Sequence, residues 1–97
     1  MGSNKFMVPL TTAVITSTYI IDDKMAVLYV SHELDEDGES SWQFHSGNDD
    51  YDMAKMKLVS LGNILQLDDS LIELSDLPAG YGARRSALGE KWNSYKE

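Results

Sequence analysis

The sequence predicts an α+β fold, a small and mostly antiparallel sheet with two short helices packed on it, in a single domain. Three observations carry this. Segments 13–21, 25–31 and 41–46 combine strand length with β-branched or aromatic residues. Helical signals appear only after them, over 60–66 and 70–75. A chain of 97 residues and 10.8 kDa has room for one hydrophobic core and little more. Strands, then helices, then one returning strand make a sandwich of few layers.

Residues 1–12 read as a poorly ordered lead-in, and the domain as 13–97. Met1-Gly2-Ser3 opens like a myristoylation signal, but Phe6 stands where Ser or Thr is required. Phe6 to Ile21 is apolar yet holds Pro9, four threonines and a serine, with no A-x-A cleavage site, which argues against a signal peptide. Val14-Ile15-Thr16-Ser17-Thr18-Tyr19-Ile20-Ile21 favours extended backbone, although its imperfect alternation allows a turn or short helix before Asp22-Asp23-Lys24. Met25-Ala26-Val27-Leu28-Tyr29-Val30 is a continuous apolar run, as in a central strand covered on both faces. Ser41-Trp42-Gln43-Phe44-His45-Ser46 alternates, with Trp42 and Phe44 on one face and Gln43 and His45 on the other. Between these runs, Glu33 to Ser40 carries charges that resist burial and Gly38 that permits a turn, so the pair reads as an antiparallel hairpin.

Asn48-Asp49-Asp50-Tyr51-Asp52 forms a second acidic loop. Ser60 can cap a helix from Leu61, with Leu58, Leu61 and Leu65 at helical spacing. Asp68, Asp69 or Ser70 can cap a second helix, Leu71-Ile72-Glu73-Leu74, which stops before Leu77-Pro78. A further strand is expected around Ala83-Arg84-Arg85, followed by an irregular or helical end. Whether Trp92 covers a sheet edge or stands at an interface the sequence does not decide.

Composition excludes several classes. No run of 18 apolar residues can span a membrane as a helix. Without cysteine there is no disulfide framework, thiolate zinc site, iron–sulfur cluster or cysteine nucleophile, and the absence of such staples in so small a domain points to the cytoplasm. Sixteen acids against eight bases give a formal charge of −8. The imbalance is concentrated: Asp22 to Asp76 holds 14 acids and three bases, Lys24, Lys55 and Lys57. Such a field repels nucleic-acid backbones and anionic membranes and attracts basic partners.

No catalytic or cofactor site emerges. Glu33-x-Asp35-x-Asp37-Gly38 begins like a calcium loop, but Phe44 occupies the twelfth place, where a bidentate Glu belongs. Asp49, Asp50 and Asp52 lack a following turn glycine, so no metal is expected. His32 and His45 could face each other across the hairpin and with Asp49 or Glu33 imitate a hydrolytic site. G-x-S-x-G, H-E-x-x-H and Walker A patterns are all absent, so the imidazoles read as solvent-facing and the protein as a non-enzyme. Gly80-Tyr81-Gly82 is too little for a dinucleotide fingerprint. Trp42 and Phe44 could stack bases or sugars, but the negative field and the needs of a small core favour packing.

Trp42-Gln43-Phe44 with Ser46-Gly47, followed by acids, resembles a bacterial family first catalogued as a domain of unknown function and later grouped among the immunity proteins of polymorphic toxin systems. Thr16-Ser17, Leu61-Gly62-Asn63-Ile64-Leu65, Asp68-Asp69-Ser70, Leu77-Pro78-Ala79-Gly80, Arg84 or Arg85, and Trp92 continue the likeness across residues 13–92. Ser41 replaces that family's usual glycine and Asp69 its usual proline. The resemblance implies a protein that neutralises a cognate bacterial toxin by stoichiometric binding; the absent motifs add that it needs no cofactor. On this chain the expected binding residues are Glu33, Asp35, Glu36, Asp37 and Glu39 in one acidic loop, and Asp49, Asp50, Tyr51 and Asp52 in the other. The hairpin is expected to bring the two loops to neighbouring surface, where their carboxylates would fit the basic cleft of a nuclease domain. Tyr51 is the expected anchor. Two other readings stand beside this one: the loops are merely solvated, or the chain is a small-ligand-binding or housekeeping interaction domain.

Overall fold

The computed structural model describes residues 9–34, 36–48, 50 and 52–97. Strands β1 (Ala13–Ser17), β2 (Tyr29–Leu34), β3 (Ser40–His45), β4 (Met56–Ser60), β5 (Tyr81–Arg84) and β6 (Asn93–Lys96) form one sheet in the order β4-β1-β3-β2-β5-β6. β1 and β3 run parallel, and the other four neighbouring pairs are antiparallel. Besides helices α1 (Thr18–Ile21) and α2 (Leu61–Leu67) there are 3₁₀ turns at Met53–Lys55, before β4, and at Asp69–Leu74, after α2. This is the α+β architecture the sequence predicts.

The hairpin is as expected. β2 pairs with β3 in a register that sets Val30 opposite Phe44 and His32 opposite Trp42, and Gly38 takes the left-handed φ of +80° in the connecting turn. One sheet face carries Val14, Val30, Trp42, Phe44 and Ala83 into a single buried cluster with Ile20, Val27, Leu61, Ile64, Leu71, Leu74 and Leu77. Each large apolar side chain so buried contributes on the order of 1.5–3 kcal/mol. Ser60 caps α2, its Oγ accepting from the Asn63 N–H at 3.2 Å, and Asp68 caps the 3₁₀ turn through the Ser70 N–H at 3.0 Å.

The short helix that the imperfect alternation of 13–21 allows is present: the strand stops at Ser17, α1 follows, and Lys24 at φ +58° turns the chain back. Four expectations need correction. The strand expected over 25–31 begins at Tyr29, because the Val27 carbonyl is taken by the Arg85 guanidinium instead of by a neighbouring strand. Leu58 lies not on a helix but in β4, at the sheet edge and 72% exposed. The end expected to be irregular or helical contains β6, paired with β5 from Arg84↔Asn93 to Tyr81↔Lys96. β2 is central, but only one of its faces joins the core: Val30 packs with Leu61 and Ile64 of α2, while Tyr29 and Glu33 line an open groove. Residues 1–8 of the expected lead-in lie outside the described residues. Leu10 and Thr12 are tied to the start of α2 through their carbonyls, which accept from the Gly62 and Leu61 N–H groups at 2.9 Å.

Candidate functional site

Period-two alternation places Ile15, Tyr29, Ser31, Glu33, Gln43, His45 and Leu58 on the sheet face that the helices leave open. All of these except the buried Ser31 line a groove of about 740 Å³ there, with Met53, Met56, Lys57 and Arg84. The strand order makes the face asymmetric. Its β4–β1 side is apolar, from Leu58, Met56 and Ile15, with Met53 beside them on the 3₁₀ turn. The side across β3, β2, β5 and β6 is polar.

The polar side is a connected hydrogen-bond layer. Gln43 Nε2 donates to Glu33 at 3.1 Å, which leaves Gln43 Oε1 to accept from His45 Nε2–H at 3.0 Å. Ser31 Oγ lies 2.6 Å from Glu97 and 3.1 Å from Glu33, so its one hydrogen serves two carboxylates in turn. Tyr29 donates its phenolic hydrogen to Glu97 at 2.6 Å and stacks on His45 with ring centres 5.7 Å apart. The Arg84 guanidinium sits 4.1 Å over the Tyr29 ring, and its Nε donates to the Tyr95 hydroxyl at 3.1 Å. Glu97 reaches this layer over Gly82, where a Cβ would stand 2.9 Å from the Glu97 carboxyl carbon.

Two groups here have displaced proton affinities. Burial, and next the nearby Arg84 charge, hold the His45 imidazole below its ordinary value of 6.5, in keeping with a neutral ring that donates through Nε2. Burial, followed by the hydrogen bond to Glu97, pushes the Tyr29 phenol well above the ordinary range. Ser31 and His45 are therefore engaged with neighbours on the sheet, and the face presents fixed donors, acceptors and apolar side chains.

The expected binding residues are distributed differently from the expectation. Glu33 belongs to the polar layer. Glu36, Asp37 and Glu39 are exposed in the hairpin connection, before β3 begins, whereas Asp50 and Asp52 follow the end of β3. The two acidic segments thus lie at opposite ends of a six-residue strand and are not neighbours, a separation of roughly 17 Å. Asp35, Asp49 and Tyr51 lie outside the described residues. Asp50 accepts from the Tyr19 hydroxyl and from Lys55 Nζ at 3.2 Å, and these hydrogen bonds, Tyr19 first, help hold its carboxyl below the usual carboxylate range; Lys55 also donates to the Tyr19 hydroxyl at 2.9 Å, and that bond, followed by the one to Asp50, raises its affinity for a proton. Asp52 accepts from the Ala54 N–H at 3.0 Å and caps a 3₁₀ turn.

The two histidines do not face each other. His45 lies in the open face and is 4% exposed, and His32 lies on the helix side, stacked on Trp42 with ring centres 3.9 Å apart. His32 Nδ1–H donates to the Leu77 carbonyl at 2.7 Å, while the Gly80 N–H donates to the His32 carbonyl at 2.6 Å. The Leu77-Pro78-Ala79-Gly80 step therefore clamps β2, with Gly80 at φ +90°. Trp42 and Phe44 are core residues, as packing requires. Ser46 is buried, and Gly47 at φ +76° passes close to Leu28. Trp92 is half-buried beneath Arg85, whose guanidinium lies 4.3 Å from its ring centre.

Among the described residues no group of three His, Asp or Glu side chains is placed to hold a metal ion. The groove residues Ile15, Met53, Met56 and Leu58 went unrecognised in the sequence, since only the strand order brings them together. No helix among the described residues is long and apolar enough to cross a membrane. Comparison with curated proteins and with solved structures returned no match. The family model described as Immunity protein Imm33 domain matches residues 14–96, from β1 through β6. The chain therefore belongs to the Imm33 family of immunity protein domains.

Proposed function

We propose that this chain is a non-catalytic cytoplasmic protein that silences the toxin of a polymorphic toxin system by occupying it in a stoichiometric complex. Its membership in an immunity-protein family carries the reading. The geometry supports binding over turnover: the imidazoles lie on opposite sheet faces, and the polar groups of the open face are engaged with each other. The charge of −8 supports a partner with a basic surface, such as a nuclease domain, and opposes direct contact with nucleic acid or an anionic membrane. The acidic segments at the two ends of β3 act mainly as a field that speeds encounter, since Asp50 is already engaged with Tyr19 and Lys55.

Co-expression tests this reading. Where the reading frame beside the gene for this chain encodes a large secreted protein with a variable C-terminal domain, that domain is the probe. Cells producing that domain should survive only when the chain is produced with it. Equal killing in its presence and absence contradicts the proposal. A groove of about 740 Å³ with convergent polar groups is also of small-molecule size. If the chain instead carries a metabolite, that compound should remain bound through purification and raise the melting temperature.

A further inference from the structure

Met53 at 83% and Leu58 at 72% are the most exposed large hydrophobic side chains among the described residues, and both border the groove on the open sheet face. Half-buried Ile15 and Met56 join them, so the exposure is a contiguous patch and not a scatter of single residues. Its charged groups are already engaged: Glu33 belongs to the polar layer, Arg84 lies over the Tyr29 ring, and Lys57 is paired with Asp22. Methionine, tyrosine and arginine are enriched, and acids depleted, at the centres of protein–protein interfaces. Exposed acids stand beyond both ends of β3: Glu36, Asp37 and Glu39 at one end, Asp52 at the other.

We infer that this open sheet face is the surface that binds the toxin, a step that rests on the immunity reading above. The occupant is a protein segment that seats apolar side chains against Ile15, Met53, Met56 and Leu58 and carries lysine or arginine on both flanks, facing the acids beyond β3. Charge complementarity selects this occupant. A second copy of the chain would bring its own −8 and its own acids against the same acids. The hydrogen bonds among Glu33, Gln43, His45, Ser31, Tyr29 and Glu97 fix the polar half of the face before binding, which lowers the ordering cost of association.

The experiment measures binding of the same neighbour-encoded C-terminal domain to the full chain and to a Met53→Glu, Leu58→Glu double variant. Both side chains are largely in solvent, so the variant should keep the wild-type melting temperature. Its affinity should fall about 30-fold or more, chiefly through faster dissociation. Leu88→Glu, at a site 64% exposed outside the groove, should stay within about threefold. If the wild type binds and the double variant binds within about threefold of it, the surface assignment is overturned while the immunity reading stands. If the wild type itself neither binds nor inhibits the domain, the immunity reading falls and the assignment with it. Sedimentation showing a dimer that the double variant dissolves would give the face to a second copy. A small molecule released on denaturation from the wild type, but not from the variant, would give it to a ligand. Either result overturns the proposal.

Discussion

Arg85 and Asp68 form a 2.7 Å ion pair inside the protein, with the guanidinium side chain 1% exposed and the carboxylate 12% exposed. The same guanidinium donates to the Val27 carbonyl through Nε and Nη2 and to Ser70 Oγ at 3.1 Å. One side chain thereby joins the end of β5 to the segment before β2 and to the capped 3₁₀ turn. Removing one partner of such a pair leaves a buried, uncompensated charge. Asp68→Ala should therefore lower the unfolding free energy by about 3–5 kcal/mol in urea titration. The exposed pair Lys57–Asp22, 3.3 Å apart, is the contrast: Lys57→Ala should cost under about 1 kcal/mol.

His45 makes stability depend on pH. Its folded affinity for a proton lies below the ordinary 6.5, so below pH 6.5 the unfolded chain takes up a proton that the folded chain refuses. The stabilisation is fully present above pH 6.5 and is lost as pH falls toward the folded value. His45→Gln should flatten this part of the profile, read as melting temperature against pH. A wild-type profile as flat as the variant's over that window would contradict the assignment.

How much of this was legible in sequence follows from where each signal arises. The hairpin was, because Trp42 and Phe44 alternate strictly with Gln43 and His45 and Gly38 marks the turn. The caps were, because Ser60 and Asp68 act on N–H groups two or three residues away. The family was also legible from short motifs spread along the chain, and Imm33 membership agrees with that resemblance. β4 was not: Met56 and Leu58 face the groove while Val59 packs on the core, so apolar residues on both faces erase the period of two. β6 is Asn-Ser-Tyr-Lys, and its extended form follows from pairing with β5, not from propensity. The open face was hidden for a related reason. Its residues come from several strands, and the sheet order includes a parallel β1–β3 contact that no local pattern announces. The acidic loops were conspicuous because composition alone reveals charge, but their placement at opposite ends of β3 depends on which residues pair.

Gly82 controls the polar half of the face. A methyl group there would meet the Glu97 carboxyl carbon at 2.9 Å and the Tyr95 hydroxyl at 3.2 Å, both at the ends of flexible side chains. Gly82→Ala should therefore fold but displace Glu97 from Tyr29 and Ser31. The Tyr29 phenol should then ionise at lower pH than in the wild type, although burial keeps it above an ordinary tyrosine. Tyrosine ring resonances followed by NMR through the alkaline range check this. An unchanged Tyr29 titration would show that Glu97 does not act on it.

The acids beyond β3 should govern association rate more than affinity. Neutralising Glu36, Asp37, Glu39, Asp50 and Asp52 to their amides should slow association with the neighbour-encoded toxin domain by roughly 10-fold or more at low salt. It should also flatten the dependence of that rate on ionic strength, with little change in dissociation. Stopped-flow mixing across salt concentrations measures both. An unchanged rate and salt slope would place these acids outside the encounter surface.

Stoichiometric inhibition is the centre of the account, and titration of toxin activity tests it most directly. A fixed concentration of the toxin domain, well above the dissociation constant, is mixed with increasing amounts of the chain and its residual activity measured. Activity should fall linearly and vanish at one equivalent, and it should return when the complex is denatured and the toxin refolded alone. Progressive loss of activity at a small fraction of an equivalent would mean turnover, and full activity at several equivalents would mean no complex. Either result contradicts the account.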